Sequence, residues 1–429
     1  MHRKLSISKE ARNSVMQAEE GLHAVFARIE ETEFFNHEKV LAAFQQEKIA
    51  QRHFMPTTGY GYDDIGRDAL ERLFAHAMGA EDALVRPQIV NGTHALYLAL
   101  AGILRPGDTL LSATGKPYDT LEKAISSGGG GKGVTGSLDE FGVRYRETAL
   151  LNDAINIHEV IEALREDSTI KIVYFQRSRG YAWRRAVSCD AMKAALQAIR
   201  ATAPDAVIMV DNCYGEFVET MEPLEVGADI IAGSLIKNPG GGLAPTGGYV
   251  AGRRSLIECV AQRLTLPGMG KEVGSYSGGY LPFYQGLFMA PHVTAQSLKT
   301  AVLFARVFET AGFTTLPESG DAHRSDIIQA LRFHTKEALI AFVQSIQRVA
   351  PIDSFVSPEP WNMPGYSSQV IMAAGTFIQG SSIELSADAP IREPYTAYIQ
   401  GALAYSHGRL GAMMALQSLM DAGKVKNCP

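Results

Sequence analysis

Lys237 closes the apolar run Ile230-Ile231-Ala232-Gly233-Ser234-Leu235-Ile236-Lys237. An ammonium at the end of a buried strand is costly, and a covalent imine removes that charge while giving the amine a task. Ser234, three residues earlier, offers a hydroxyl to a phosphate, and Asn238-Pro239-Gly240-Gly241-Gly242 lets the backbone turn tightly around a ligand. The plain alternative is a surface lysine at a strand end. Asp211 follows Ala206-Val207-Ile208-Met209-Val210, so it stands at the C-terminal end of a buried strand, where open parallel sheets bind ligands. Its plain alternative is a helix cap. Gly92 and Thr93 precede an apolar helix from Ala95 to Leu104 and would present backbone N–H groups at its positive end, a seat for phosphate or an ordinary N-cap. His94 alone reads as a helix N-terminal residue. Tyr118, after the run Thr109 to Ser112, has a ring that can stack on a flat heterocycle.

A second phosphate motif fails. Gly131-Lys132 lies in the glycine-rich segment Ser126 to Gly136, with Gly128 to Gly131 in a row, but a P-loop needs Gly where Ser126 stands and Ser or Thr where Gly133 stands. The segment reads as a surface loop, with a lid over the site as the sharper alternative.

The elements that must position these residues alternate between short β-rich runs and helix-length segments. Ala83-Leu84-Val85, Thr109 to Ser112, Ile170 to Phe175, Ala206 to Val210 and Ile230 to Gly233 are predicted strands, and Thr246 to Ala251 returns as another. This alternation predicts an α/β domain with a mostly parallel sheet buried on both faces, over residues 51–290. Residues 1–50 read as a helical arm that packs on something else, with another subunit as a candidate. Pro291 is expected to open a helix from His292 to about Ala311, ended by Gly312. Residues 291–429 read as a smaller α+β domain with a hairpin from Gln369 to Ser386, turning near Gln379-Gly380-Ser381.

Bulk properties narrow the function classes. The 429 residues suffice for two domains, and 46% hydrophobic with 20% charged residues is the range of ordinary soluble enzymes. A net charge of -6 argues against nucleic-acid and anionic-membrane partners. No apolar stretch approaches the roughly 20 residues a membrane helix needs, and Met1 to Ser6 lead into no apolar run of a signal peptide. Cys189, Cys213, Cys259 and Cys428 form no CxxC pair, so free thiols in a cytoplasmic, reducing setting are expected. The scattered histidines include no HExxH, so no metal site is expected.

In order, the phosphate turn, the stacking aromatic, the Asp and the Ser-x-x-Lys resemble a fold-type-I pyridoxal 5'-phosphate (PLP) enzyme of the aspartate-aminotransferase fold. The wider sequence resembles the methionine gamma-lyase-like family known as aluminium resistance proteins, kin of cystathionine beta-lyase. The likeness runs through Thr58-Gly59-Tyr60-Gly61-Tyr62-Asp63-Asp64-Ile65-Gly66-Arg67-Asp68, Gln176 to Tyr181, Val210 to Phe217, the lysine segment, and Glu384 to Tyr395. It covers most of the chain from about residue 50.

That resemblance implies roles. Lys237 would hold the cofactor covalently and later move the substrate's Cα proton, and Asp211 would pair with the pyridinium nitrogen. Gly92, Thr93 and Ser234 would hold the phosphate, and Tyr118 would stack on the ring. Arg392 would take the substrate carboxylate, with Arg177 and Arg179 as competitors. Tyr60 resembles a tyrosine that such lyases contribute across a subunit interface, which implies a homodimer or homotetramer with shared active sites. Two departures concern the substrate side: Ile236 stands where these lyases usually carry Thr or Ser, and Gln176-Arg177-Ser178-Arg179-Gly180 replaces their Asn-Pro segment. The implied activity is β- or γ-elimination of a sulfur leaving group from cystathionine, methionine or a cysteine derivative. The rivals are a PLP-dependent aldolase or aminotransferase, and a non-catalytic stress or metal-tolerance protein.

Overall fold

The computed structural model describes residues 5–126, 134–321, 323–363 and 368–425. The glycine run Gly128 to Gly131, with its lid reading, and Cys428 lie outside the described residues.

Seven strands form the large sheet: β1 (Asp82–Arg86), β2 (Thr109–Ser112), β3 (Arg144–Glu147), β4 (Ile170–Gln176), β5 (Val207–Asp211), β6 (Ile230–Ser234) and β7 (Gly248–Gly252). Their order is β1-β7-β6-β5-β4-β2-β3. Only β7 runs against its neighbours β1 and β6. The edge strand β3 escapes sequence reading because Arg-Tyr-Arg-Glu has no buried face to write an apolar pattern.

Because side chains alternate along a strand, each strand feeds two apolar layers. Ile208 and Val210 of β5 join one layer, with Val173, Phe175 and Ile231. Val207 and Met209 join the other, with Tyr174, Ile230 and Ala232, and there the helix Gly92–Ile103 packs through Leu96, Ala99 and Leu100. Continuing the alternation puts Asp211 and Ser234 on that same helix-bearing side, at the carboxyl ends of their strands. The period of two thus aims both residues at the N-terminus of this helix.

The second sheet is antiparallel throughout. It comprises β8 (Thr314–Leu316), β9 (Gln329–Arg332), β10 (Val370–Ala373), β11 (Ser386–Pro390) and β12 (Thr396–Gln400), in the order β10-β11-β12-β9-β8. β10 and β11 pair from Val370 opposite Pro390 to Ala373 opposite Ala387, so the second strand begins at Ser386, where the hairpin expected from the sequence ends. Their connection is long, and Gly380 in it has a left-handed φ of 80°. The helices Lys336–Val349 and Tyr405–Asp421 cover this sheet and share its core of Phe342, Leu339 and Leu416.

The helix expected to start at Pro291 starts ten residues earlier, at Leu281, and runs to Thr310 with Pro291 inside it. Pro282 takes the first-turn position where proline costs nothing. The hydrogen bond lost at Pro291 is outweighed by burial on both sides. Phe283, Tyr284, Leu287 and Ala290 belong to the large-sheet core, whereas Val293, Leu298, Phe304 and Phe308 belong to the small-sheet core. One helix therefore spans both cores, about 45 Å long at 1.5 Å per residue.

The N-terminal helices Lys9–Glu20 and His23–Gln46 dock on their own chain. Val15 and Leu22 enter the small-sheet core, and Glu33 and Glu30 pair with His292 and Lys299 of the long helix, each at 2.7 Å. Among the described residues no helix is long and apolar enough to cross a membrane.

Candidate active site

Lys237 follows β6 and begins the short turn Asn238–Gly240. Its Nζ sits 3.9 Å from the centroid of the Tyr214 ring. Burial opposes the ammonium, but Cys213, Tyr214, Asp211 and Tyr118 face it, and together they hold its pKa well above the ordinary lysine value. Tyr214 takes a left-handed φ of 71°, a conformation that costs a bulky residue energy and turns its ring beneath the lysine.

Asp211 is almost fully buried. Its Oδ1 accepts from the Cys213 N–H at 3.0 Å, and its Oδ2 accepts from the Tyr174 hydroxyl at 3.3 Å. Burial raises its pKa, against the pull of Lys237 and the Cys213 N–H. A carboxylate held this deep gains from a further cation or N–H donor.

Gly92 and Ser234 are brought together although 142 positions separate them. A Cβ on Gly92 would lie 3.1 Å from Ser234 Cβ and 3.3 Å from Cys213 Sγ, so only glycine leaves open space there. Asn91 caps the helix by accepting from His94 N at 2.9 Å, and His94 Nδ1 accepts from Val90 N at 3.0 Å. His94 is thereby a capping residue. As first-turn residues, Gly92 and Thr93 have N–H groups with no intrahelical acceptor.

Tyr118 bridges the two sides of the site. Its hydroxyl donates to Thr93 Oγ1 at 2.8 Å and its N–H to Gln176 Oε1 at 3.0 Å. Burial, then Asp211 and Cys213, raise its pKa far above the ordinary tyrosine value, so the phenol stays protonated at neutral pH. Gln176 in turn is held by Thr114, whose Oγ1 accepts from Gln176 N at 2.9 Å.

The arginines separate. Arg177 is fully buried and occupied: it donates to Asn212 Oδ1 at 2.5 Å and Gly215 O at 3.2 Å, and it pairs with Glu219. Its guanidinium pins the turn after β5 and leaves little to offer a substrate. Arg179 donates to Leu316 O at 2.6 Å and faces Asp326 at 3.6 Å. Arg392 is exposed at the β11–β12 turn, and among the described residues its side chain carries no hydrogen bond or ion pair. Arg179 and Arg392 both lie near Tyr398, whose pKa burial pushes up to about 12 even against these cations. Tyr398 packs in one cluster with Tyr214 and Tyr181.

Tyr60 joins none of this. It is 72% exposed, with its ring tilted against that of Tyr62 at 5.6 Å between centroids and its carbonyl accepting from Gly274 N at 2.9 Å. Within one chain it lies on the surface.

Residues not singled out by sequence reading complete the pocket: Tyr174, Cys213, Tyr214 and Asp388. Cys213 and Tyr214 directly follow Asp211, and Tyr174 shares its sheet face, so adjacency and period were the available signals. Asp388 of β11 had none. Burial pushes its pKa up to about 6, Gln400 donates to it at 3.2 Å, and it feels the charge of Lys237 from the small sheet. Among the described residues no group of three or more His, Cys, Asp or Glu side chains could hold a metal ion.

A seven-stranded sheet with one reversed strand, a glycine-led helix at its carboxyl edge, and a small antiparallel domain define the fold-type-I architecture of PLP-dependent enzymes. The PLP-dependent protein YhfS of Escherichia coli shares this fold at 17% identity, with a TM-score of 0.61 over 92% of this chain and 97% of that one. The sequence pattern described as methionine gamma-lyase matches residues 11–420, and the chain belongs to that family. It is similar to a proposed cystathionine beta-lyase involved in aluminium resistance from Clostridium acetobutylicum, with 48% identity, 96% of each chain covered and a TM-score of 0.93. A carbon-sulfur lyase involved in aluminium resistance from Clostridium novyi NT is similar at 49% identity, 96% of each chain and a TM-score of 0.92. The uncharacterized protein YnbB of Bacillus subtilis (strain 168) is 49% identical over 96% of each chain.

Proposed function

We propose that this chain is a PLP-dependent carbon–sulfur lyase that eliminates a sulfur leaving group from a sulfur-containing amino acid. The observation that carries the reading is the approach of Gly92 to Ser234 beside the buried Asp211, with Lys237 over Tyr214. A Cβ would fill this cradle, and the pocket's donor set fits the group. The N–H groups of Gly92 and Thr93 and the hydroxyls of Thr93 and Ser234 would take the phosphate. Asp211 would meet the pyridine nitrogen, Tyr118 would lie against the ring, and Lys237 would hold the group covalently. Bound there, PLP supplies an electron sink that eases removal of the proton from the substrate's α-carbon.

The chain's own residues supply the rest. We assign movement of the Cα proton to Lys237 and, to the protonated Tyr118, donation toward the departing sulfur, a reading its raised pKa supports. Arg392, whose side chain has no partner among the described residues, is the cation we assign to the substrate carboxylate. We also assign Tyr60 to the phosphate of a partner subunit's site, in a homodimer or a tetramer of two such dimers. Its exposure beside Gly59 and Gly61 supports this reading. The free thiols Cys189, Cys213 and Cys259 support a reducing, cytoplasmic setting.

The test is a panel of sulfur amino acids with the purified protein. Pyruvate or 2-oxobutanoate with ammonia is the expected product, and Lys237→Ala should abolish both turnover and covalent cofactor. Conversion of the cofactor to its amine form with an oxo-acid partner would make the protein an aminotransferase. Borohydride labelling of a different lysine would overturn the role of Lys237.

A further inference from the structure

Where the segment after β4 meets the start of the small sheet, buried positive charge exceeds its compensation. Arg179, Arg184 and Arg324 are all at least nine-tenths buried. Asp326 lies 3.6 Å from Arg179 Nε, and its other oxygen accepts from Ile328 N at 3.1 Å. Among the described residues neither Arg184 nor Arg324 has a carboxylate at ion-pair distance. Arg184 donates only to the backbone carbonyls of Arg185, Gln176 and Ser178. Arg324 donates to the neutral Gln329 Oε1 at 2.8 Å. Among the described residues four buried guanidinium nitrogens meet no acceptor: Nε and Nη2 of Arg179, and Nε and Nη1 of Arg324.

Both arginines line one cavity of about 850 Å³. Lys237, Asp211, Tyr118, Gly92, Thr93 and Ser234 are absent from its lining. The nearby acids are already engaged: Asp321 and Glu318 pair with Arg185, and Glu219 pairs with Arg177. Asp153 and Asp190 also line the cavity, but they are exposed and screened by solvent. For Arg324, buried N–H positions without acceptors and no carboxylate at ion-pair distance are strongly unfavourable unless an anion completes them, and Asp326 compensates Arg179 only from one side.

We infer that Arg179 and Arg324, backed by Arg184, form a binding site for a small oxyanion at this seam. The planar forks of two guanidiniums suit a carboxylate, sulfate or phosphate group, which accepts from several N–H donors at once. The electrostatics agree. Burial and the Arg179 charge pull the pKa of Arg324 down to about 9, and burial pulls that of Arg184 to about 10, even with Asp326 nearby. Burial is the larger cause in both, and the carboxylates of Asp326 and Glu309 near Arg324, and of Asp326 and Asp153 near Arg184, offset it only in part. The site does not rest on the lyase reading, because none of the cofactor-cradle residues lines its cavity. Its anion has two sources to distinguish: a carboxylate of the amino-acid substrate other than the one assigned to Arg392, or a separate free anion.

The experiment titrates holoenzyme with sodium sulfate against sodium chloride at constant ionic strength and follows the unfolding temperature. A saturable rise of roughly 2 °C or more is expected with sulfate, and it should vanish in Arg324→Gln. If Arg324→Gln does not fold, Arg324→Lys keeps the charge but loses the fork, and a weakened response is expected. A wild-type response no greater to sulfate than to chloride means that ordered water completes the guanidiniums, and it overturns the site. An undiminished sulfate response in the folded variant overturns it equally. The source is read from turnover: sulfate competing with the amino acid, with KM raised in Arg324→Gln, identifies the substrate's own carboxylate. A lost sulfate response with KM unmoved identifies a free anion. The thermal measurement stands even if no lyase activity is found.

Discussion

The Lys237 ammonium lies over the face of the Tyr214 ring, 3.9 Å from its centroid, and the backbone of Tyr214 is held at a left-handed φ of 71° to put the ring there. A cation over an aromatic face in a desolvated site is worth about 0.5–2 kcal/mol. Tyr214→Phe keeps the face and should retain most activity. Tyr214→Ala removes it and should lower kcat by about 3- to 30-fold. Steady-state kinetics of both variants check this, and equal losses in the two would show that the hydroxyl, not the ring face, matters.

Asp211, which we assign to the pyridine nitrogen, stands at a buried strand end, with Cys213 and Tyr174 fixing its two oxygens. Asp211→Asn keeps the shape but removes the charge. Cofactor binding should persist, seen in the visible spectrum, while kcat falls roughly 100-fold, the equivalent of about two pKa units of lost stabilisation. A near-normal rate would remove Asp211 from this role.

Gly92→Ala places a methyl group 3.1 Å from Ser234 Cβ, in the space assigned to phosphate. Cofactor affinity should drop at least about tenfold, near 1.4 kcal/mol, with secondary structure unchanged by circular dichroism. Unaltered affinity in a cofactor titration would mean that the phosphate sits elsewhere.

Glu216 is fully buried, accepts from the Tyr249 hydroxyl at 2.8 Å, and has its second oxygen without a side-chain partner among the described residues. Burial is the main cause that pushes its pKa up to about 8 from an ordinary value of 4.5. A carboxyl with a raised folded pKa favours the fold most at low pH, and that contribution is lost as pH rises from 4.5 through about 8. Glu216→Gln has no such titration. Its unfolding temperature relative to wild type should therefore be higher at pH 9 than at pH 6, and a pH-independent difference would count against a neutral Glu216.

Tyr60 and Lys237 belong to different halves of a shared site in the proposed dimer. A mixture of Tyr60→Phe and Lys237→Ala chains under subunit exchange should recover activity above either parent, because one site per hybrid regains both residues. Exchange demonstrated without recovery would mean that each chain builds its own site.

Several features follow from sequence alone because they are local. Alternation along Val207–Asp211 and Ile230–Ser234 sets which sheet face carries Asp211 and Ser234, and Asn91 before an apolar run marks the helix start. Such patterns depend on periods of two and 3.6 residues, which a linear chain displays directly. Pro291 misled for the same reason: its local preference is for a helix start, and only the two cores on either side of it keep the longer helix intact.

The choice among Arg177, Arg179 and Arg392 could not be made locally. Identical side chains two residues apart have opposite fates, since Arg177 is consumed by Asn212 and Glu219 while Arg179 keeps empty N–H positions against Asp326. Asp388 reaches the charge of Lys237 from another sheet, about 150 residues along the chain. Partners so distant in sequence leave no periodic trace. Which guanidinium is satisfied, and which carboxyl is desolvated, is decided by packing, because burial and counter-charge are properties of the assembled interior and not of any segment in it.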